Sequence, residues 1–146
     1  MKRILAIDFG LKRIGLALSD PNQKIALPLK TLEIQNPNQD VSLVIKSIQE
    51  ATQGRPIETA IETIVLGNPL LLSGKKGEMA DNVQTFKEKL EKKLGPSIPV
   101  ILWDERLTSA QADKMLKKDY SRKKRSQMSD PVAAMIILQN YLDSKN

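Results

Sequence analysis

Residues 4–20 read ILAIDFGLKRIGLALSD, and no other stretch limits the possible fold as much. An apolar run over 4–7 stops at Asp8. Phe9-Gly10 follows as a turn-capable pair, then Lys12 and Arg13, then a second apolar run over 14–18. The pattern predicts a strand, a tight basic turn and a returning strand. Gly10 and Gly15 leave room where a side chain would collide with the turn or with a docked molecule. A carboxylate at the end of a buried strand is costly unless something pairs with it. The expected partner of Asp8 is a divalent cation, and the basic turn beside it is expected to face a phosphate backbone.

A chain of 146 residues fits one domain, 1–146, which buries roughly two-thirds of its unfolded surface without a disulfide or metal staple. Any metal is therefore expected to be catalytic, not structural. The absence of cysteine and histidine excludes a Cys nucleophile, a Ser-His-Asp triad and the usual zinc sites, leaving carboxylates, Lys, Tyr and hydroxyls for chemistry. The opening Met-Lys-Arg has the charge of a signal peptide, but the run behind it is broken by Asp8. No apolar segment is long enough to span a bilayer. The expectation is a soluble cytoplasmic protein with no membrane partner. A net charge of +6 points to a polyanion, with nucleic acid the leading candidate. With one Trp, two Tyr and two Phe, serial base stacking is disfavoured against reading of backbone and shape.

Further along, a third strand is expected over 25–34, interrupted by Pro28 and so suited to a sheet edge. Asp40 is read as opening a helix with Val41, Val44, Ile45 and Ile48 on one face, ended by Gln53-Gly54-Arg55-Pro56. The echo IETAIET over 57–63 is read as chance. A short fourth strand is expected over 63–66, then a glycine-rich basic loop containing Lys75 and Lys76. A helix over about 78–94 turns Met79, Val83, Phe86 and Leu90 inward and stops at Gly95-Pro96. A fifth strand over 98–103 runs into Asp104-Glu105-Arg106. Helices over about 108–117 and 129–143 follow, with a basic segment between them. Hairpins first and helix-strand alternation later imply an α/β fold with a mixed sheet and helices on its faces.

Acidic residues stand after apolar elements at Asp8 and at Asp104-Glu105, and Asp130 opens the expected last helix. If the first and fifth strands run parallel as near neighbours, their C-terminal ends meet where open α/β sheets place their sites. Two carboxylates about 4 Å apart repel by roughly 4 kcal/mol at an effective dielectric of 20, so such a cluster takes up a proton or a cation. All-oxygen ligands suit magnesium (Mg2+), with manganese (Mn2+) the alternative. Each acid also has a plainer reading. Asp8 is a turn residue, Asp104-Glu105-Arg106 a charged loop, and Asp130 a helix cap before Pro131 at the first helical position. If Ser129 caps instead, Asp130 shares a helical face with Ala133, Ala134 and Ile137. Lys12, Arg13, Lys75 and Lys76 are candidate phosphate contacts. So are the denser Lys117, Lys118, Arg122, Lys123, Lys124 and Arg125, although a charge run also serves as a solvated face.

With these residues assembled, the chain resembles the YqgF/RuvX family of RNase H-like nucleases. The likeness rests on IDFGLKRIGLALSD, IVLGNPLLLSGKKG, DERLTS and DPVAAMIILQNYLD, in this order across nearly the whole chain. Asn68 before the proline and Pro131 after the third acid depart from the family pattern. Strand alternation leaves open whether Asp104 or Glu105 faces the site, and the resemblance implies Glu105. It implies a catalytic, metal-binding triad of Asp8, Glu105 and Asp130, with Asp8 between two magnesium ions, and nucleic-acid contacts at Lys12 and Arg13; Arg106 is a further candidate contact. It implies a mixed five-stranded sheet, the first three strands antiparallel and the last two parallel. The implied activity is metal-dependent phosphodiester hydrolysis in 5′-end maturation of pre-16S ribosomal RNA. The alternatives are a Holliday junction resolvase acting on branched DNA and a non-catalytic RNA-binding assembly factor. A nucleotide-binding ATPase of the sugar-kinase and actin type would need a longer chain. Assembly is left open between monomer and homodimer.

Overall fold

The structure, a computed structural model, describes residues 1–68, 78–104 and 122–145. Five strands, β1 (Arg3–Asp8), β2 (Arg13–Ser19), β3 (Ala26–Glu33), β4 (Ile61–Asn68) and β5 (Val100–Asp104), form one sheet in the order β3-β2-β1-β4-β5. β1 pairs antiparallel with β2, and β2 with β3; β4 runs parallel to both β1 and β5. This is the mixed sheet expected from the chain pattern. Pro28 lies on the edge strand β3, beside a register shift opposite Leu16 and Ala17. There a residue without an N–H costs no ladder bond on the outer side.

Helices α1 (Asp40–Ala51), α2 (Ile57–Ala60), α3 (Glu78–Leu94) and α4 (Arg122–Lys145) complete the described fold, with a short 3-10 turn at Pro37–Gln39. Strand alternation divides the core between the two faces of the sheet. Leu5 and Ile7 of β1, Ile14 and Leu16 of β2, and Ile64 and Leu66 of β4 pack against Val44 and Ile48 of α1 and Val83, Phe86 and Leu90 of α3. Ile4, Ala6, Ala17 and Val65 face the other way, onto Ala134, Ile137, Leu138 and Leu142 of α4. Ile4 through Ile7 are fully buried, which fits a strand covered on both faces. Gly95, at φ +81°, ends α3 with its N–H donating to the Glu91 carbonyl at 2.9 Å.

Several sequence expectations need correction. The last helix starts at Arg122, not near 129, so Pro131 lies inside it and neither Ser129 nor Asp130 is its cap. Lys, Arg, Gln and Met are good helix formers, and an internal proline removes one intrahelical bond and kinks a helix without having to end it. The fourth strand is longer than expected. The first Ile-Glu-Thr of the echo is helical in α2, and the second begins β4. α1 is entered through the 3-10 turn, with the Asn36 side chain accepting from the Asn38 N–H at 3.0 Å. β5 begins at Val100, two residues later than expected, because Pro99 supplies a carbonyl to the Ile64 N–H and has no N–H to offer a ladder. The helix expected over 108–117 lies outside the described residues.

The Asp40 carboxylate, 5 % exposed, accepts from Lys89 Nζ at 3.0 and 3.2 Å and ties the start of α1 to α3. Lys89→Met leaves that carboxylate without its cation. It is expected to cost about 1–3 kcal/mol, measured as a lower urea midpoint at unchanged slope.

Candidate active site

Asp8 is the last residue of β1, the middle strand of the sheet, and it is half-buried. In register it faces Gly15 on β2. On the other side Ile7 pairs with Leu66, so the next residue along β4 is Gly67. The three positions lie on one face. Ile4 and Ala6 set the parity of β1 toward α4, and Ala17 and Val65 set the same parity for Gly15 and Gly67. The positions directly opposite Asp8 on both neighbouring strands are therefore glycines. The cross-strand row continues outward to Thr31 beyond Gly15 and to Trp103 beyond Gly67. A carboxylate at the C-terminal end of the central strand, between glycines, suits a hard cation bound through oxygen.

The basic turn beside it is built to hold one shape. A Cβ on Gly10 would stand 2.5 Å from the Arg13 carbonyl oxygen, closer than any side chain tolerates. The Ile34 N–H donates to the Lys12 carbonyl at 2.8 Å, fastening the turn to the end of β3. Phe9 packs on Phe86 of α3 with ring centroids 4.8 Å apart, worth about 0.5–1.5 kcal/mol beyond area burial. Lys12 is exposed and Arg13 half-buried, both at the same end of the sheet as Asp8.

α4 crosses the Asp8 face with Ala134 and Ile137 in the core against Ile4 and Ala6. Asp130 occupies the helical position four residues before Ala134. Arg122, Lys123, Lys124 and Arg125 stand in the first turn of the same helix. Ile101 and Trp103 of β5 also pack on this side, Trp103 edge-on to Tyr141 at 5.4 Å. β5 ends at Asp104, paired with Asn68 of β4. Its C-terminus thus lies two strand spacings, roughly 10 Å, from that of β1. Glu105, Arg106, Lys75, Lys76, Lys117 and Lys118 lie outside the described residues. Among the described residues no three acidic side chains form a group able to hold a metal ion, and no helix is long and apolar enough to cross a membrane.

Sequence reasoning overlooked two contributors. Gly67 reads as the end of a strand, yet the register makes it the β4 neighbour of Asp8; a glycine inside a strand pattern was the available signal. Phe9 reads as part of a turn, and only the tertiary contact with Phe86 discloses it as the anchor of that turn.

A family model described as "RuvX: Holliday junction resolvase" matches residues 2–144. The chain belongs to the RuvX family. A relative from Protochlamydia amoebophila, named "Putative pre-16S rRNA nuclease", is 47% identical over 147 residues, spanning 98% of this chain and 94% of its own. Among solved structures, T. thermophilus RuvC in complex with Holliday junction substrate is similar with a TM-score of 0.55 at 16% identity, covering 99% of this chain and 96% of that one. The Fowlpox virus resolvase, in complex with substrate Holliday junction DNA, has a TM-score of 0.59 at 13% identity, with 98% of each chain covered. At these identities the structural likeness speaks for the fold, and the fold is RNase H-like.

Gly10→Ala tests the turn that this RuvX-family chain holds beside Asp8. The Arg13 carbonyl has to move, and the expected cost is about 1–3 kcal/mol, seen as a lower urea midpoint.

Proposed function

We propose that this chain is a metal-dependent nuclease that hydrolyses phosphodiester bonds in 5′-end maturation of pre-16S ribosomal RNA. The observation that carries the reading is Asp8, held at the C-terminal end of the central strand between Gly15 and Gly67, with a rigid cationic turn beside it. The relative at 47% identity supports the choice of RNA as substrate.

The donor chemistry fits magnesium or manganese, because the chain lacks histidine and cysteine and offers carboxylates. Asp8, Glu105 and Asp130 are the residues that would hold it. The family resemblance favours Glu105 over Asp104, and Asp130 is carried on α4, four residues before Ala134. A divalent ion there supplies Lewis-acid stabilisation of the phosphoryl oxygens and a lowered pKa for water.

The chain's own residues do the remaining work. Lys12 and Arg13 hold the phosphates of the strand being cut. The further basic residues proposed to contact flanking nucleic acid are Lys75, Lys76, Arg106, Lys117, Lys118 and Arg122 to Arg125. Full burial of Ile4 to Ile7 anchors the backbone from which Asp8 projects, so little strand ordering is left to be done when substrate arrives.

The family description supports a second reading, a resolvase acting on branched DNA. One experiment separates the two: purified protein is offered a pre-16S ribosomal RNA fragment and a four-way DNA junction, with and without magnesium. Cleavage of the RNA and not of the junction is expected. Asp8→Asn should lower cleavage roughly a hundredfold or more, reflecting several kcal/mol of lost transition-state stabilisation, with fold and binding retained. Undiminished cutting by that variant would overturn the mechanism. Metal-independent binding without any product would instead favour an assembly factor.

A further inference from the structure

Beside the basic turn lies a groove of about 680 Å³ that phosphate contact alone does not explain. One wall is Leu11, 50 % exposed at the tip of the turn, and Ile34 and Pro37 add apolar surface from the segment after β3. Lys12 and Arg13 line the same groove, and Gln35 contributes an amide. A solitary exposed leucine is ordinary on a protein surface. This one sits on a turn fixed by three separate contacts: the close approach at Gly10, the bond from the Ile34 N–H to the Lys12 carbonyl, and the Phe9–Phe86 contact below. Exposed turn tips usually carry Gly, Asn, Asp or Ser. A rigidly held leucine between a catalytic carboxylate and two cations is the less economical choice for a mere connection.

The combination matches an unpaired nucleotide. Unstacked bases are held by their faces against apolar or planar side chains and by their edges through hydrogen bonds, while the phosphate stays with cations. Leu11, Ile34 and Pro37 offer the faces, Gln35 offers both a donor and an acceptor, and Lys12 and Arg13 take the phosphate. Glu33 at the rim repels phosphate, which favours entry of the base over a second backbone contact there. Leu11 is three residues from Asp8, at most about 11 Å along the chain, so the nucleotide held lies next to the bond to be cut.

We infer that the groove between the Leu11–Arg13 turn and the segment 33–37 is a subsite for one unstacked base adjacent to the cleaved phosphodiester, with Leu11 as the wedge that keeps it out of the stack. The inference rests on the nuclease reading but is tested without cleavage. An RNA hairpin with a single-stranded 5′ tail and a four-way DNA junction carry 2-aminopurine in turn at each unpaired or branch-flanking position. They are titrated with otherwise unaltered protein in the absence of divalent metal. A fluorescence rise at one position is expected on binding. Leu11→Ala should remove at least half of that rise while changing affinity less than threefold, and Leu11→Met should restore it. Lys12→Ala should weaken binding more than threefold yet leave the rise at saturation. Absence of a rise at every position, or a rise that Leu11→Ala leaves whole, overturns the subsite and leaves the nuclease standing. Failure to bind either nucleic acid overturns both.

Discussion

The alternation of β1 governs everything placed around it. Leu5 and Ile7 are fully buried against α1 and α3, so Ile4, Ala6 and Asp8 must face α4. A slip of one residue would turn two large apolar side chains onto the α4 face and send the carboxylate into the opposite core. Each buried Leu or Ile contributes about 1.5–3 kcal/mol, so the hydrophobic pairing fixes the direction of the acid far more strongly than any contact of the acid itself. The direction of Asp8 is in this sense a by-product of the packing of Leu5 and Ile7.

The same packing explains the small residues around the acid. Ala6, Gly15 and Ala17 of the central strands lie under α4, which itself meets them with Ala134. Larger groups would lift the helix from the sheet. On the α1 and α3 side the sheet presents mainly isoleucine and leucine.

Much of this was legible from residue pattern. The break of an apolar run at Asp8, the glycines after it and the second run fix a hairpin almost by themselves, and α3 was readable to the residue from its apolar period and Gly95. The illegible parts depended on context. Ile-Glu-Thr occurs twice within seven residues, once in the helical turn α2 and once at the start of β4, so local propensity cannot have decided either. The pairing of Ile61 with Arg3 of β1 decided the second. Pro131 misled because a proline at a helix start and a proline inside a helix look alike without knowledge of what precedes them. Gly67 became informative only when the parallel register set it beside Asp8.

The longer α4 also changes the meaning of its basic run. Arg122, Lys123, Lys124 and Arg125 stand in the first turn of a helix, where the backbone already concentrates positive partial charge and acidic residues are favoured. Each cation there is disfavoured by about 0.3–1 kcal/mol at low ionic strength, and four in succession also repel one another. A solvated face has no need of that arrangement, since the same charges at the C-terminal end of the helix would stabilise it. A polyanion laid across the helix start would, on the proposed reading, reverse the sign of the effect. On the proposed reading, the end of α4 that is least favourable in isolation becomes favourable only with nucleic acid in place, on the same helix that carries Asp130.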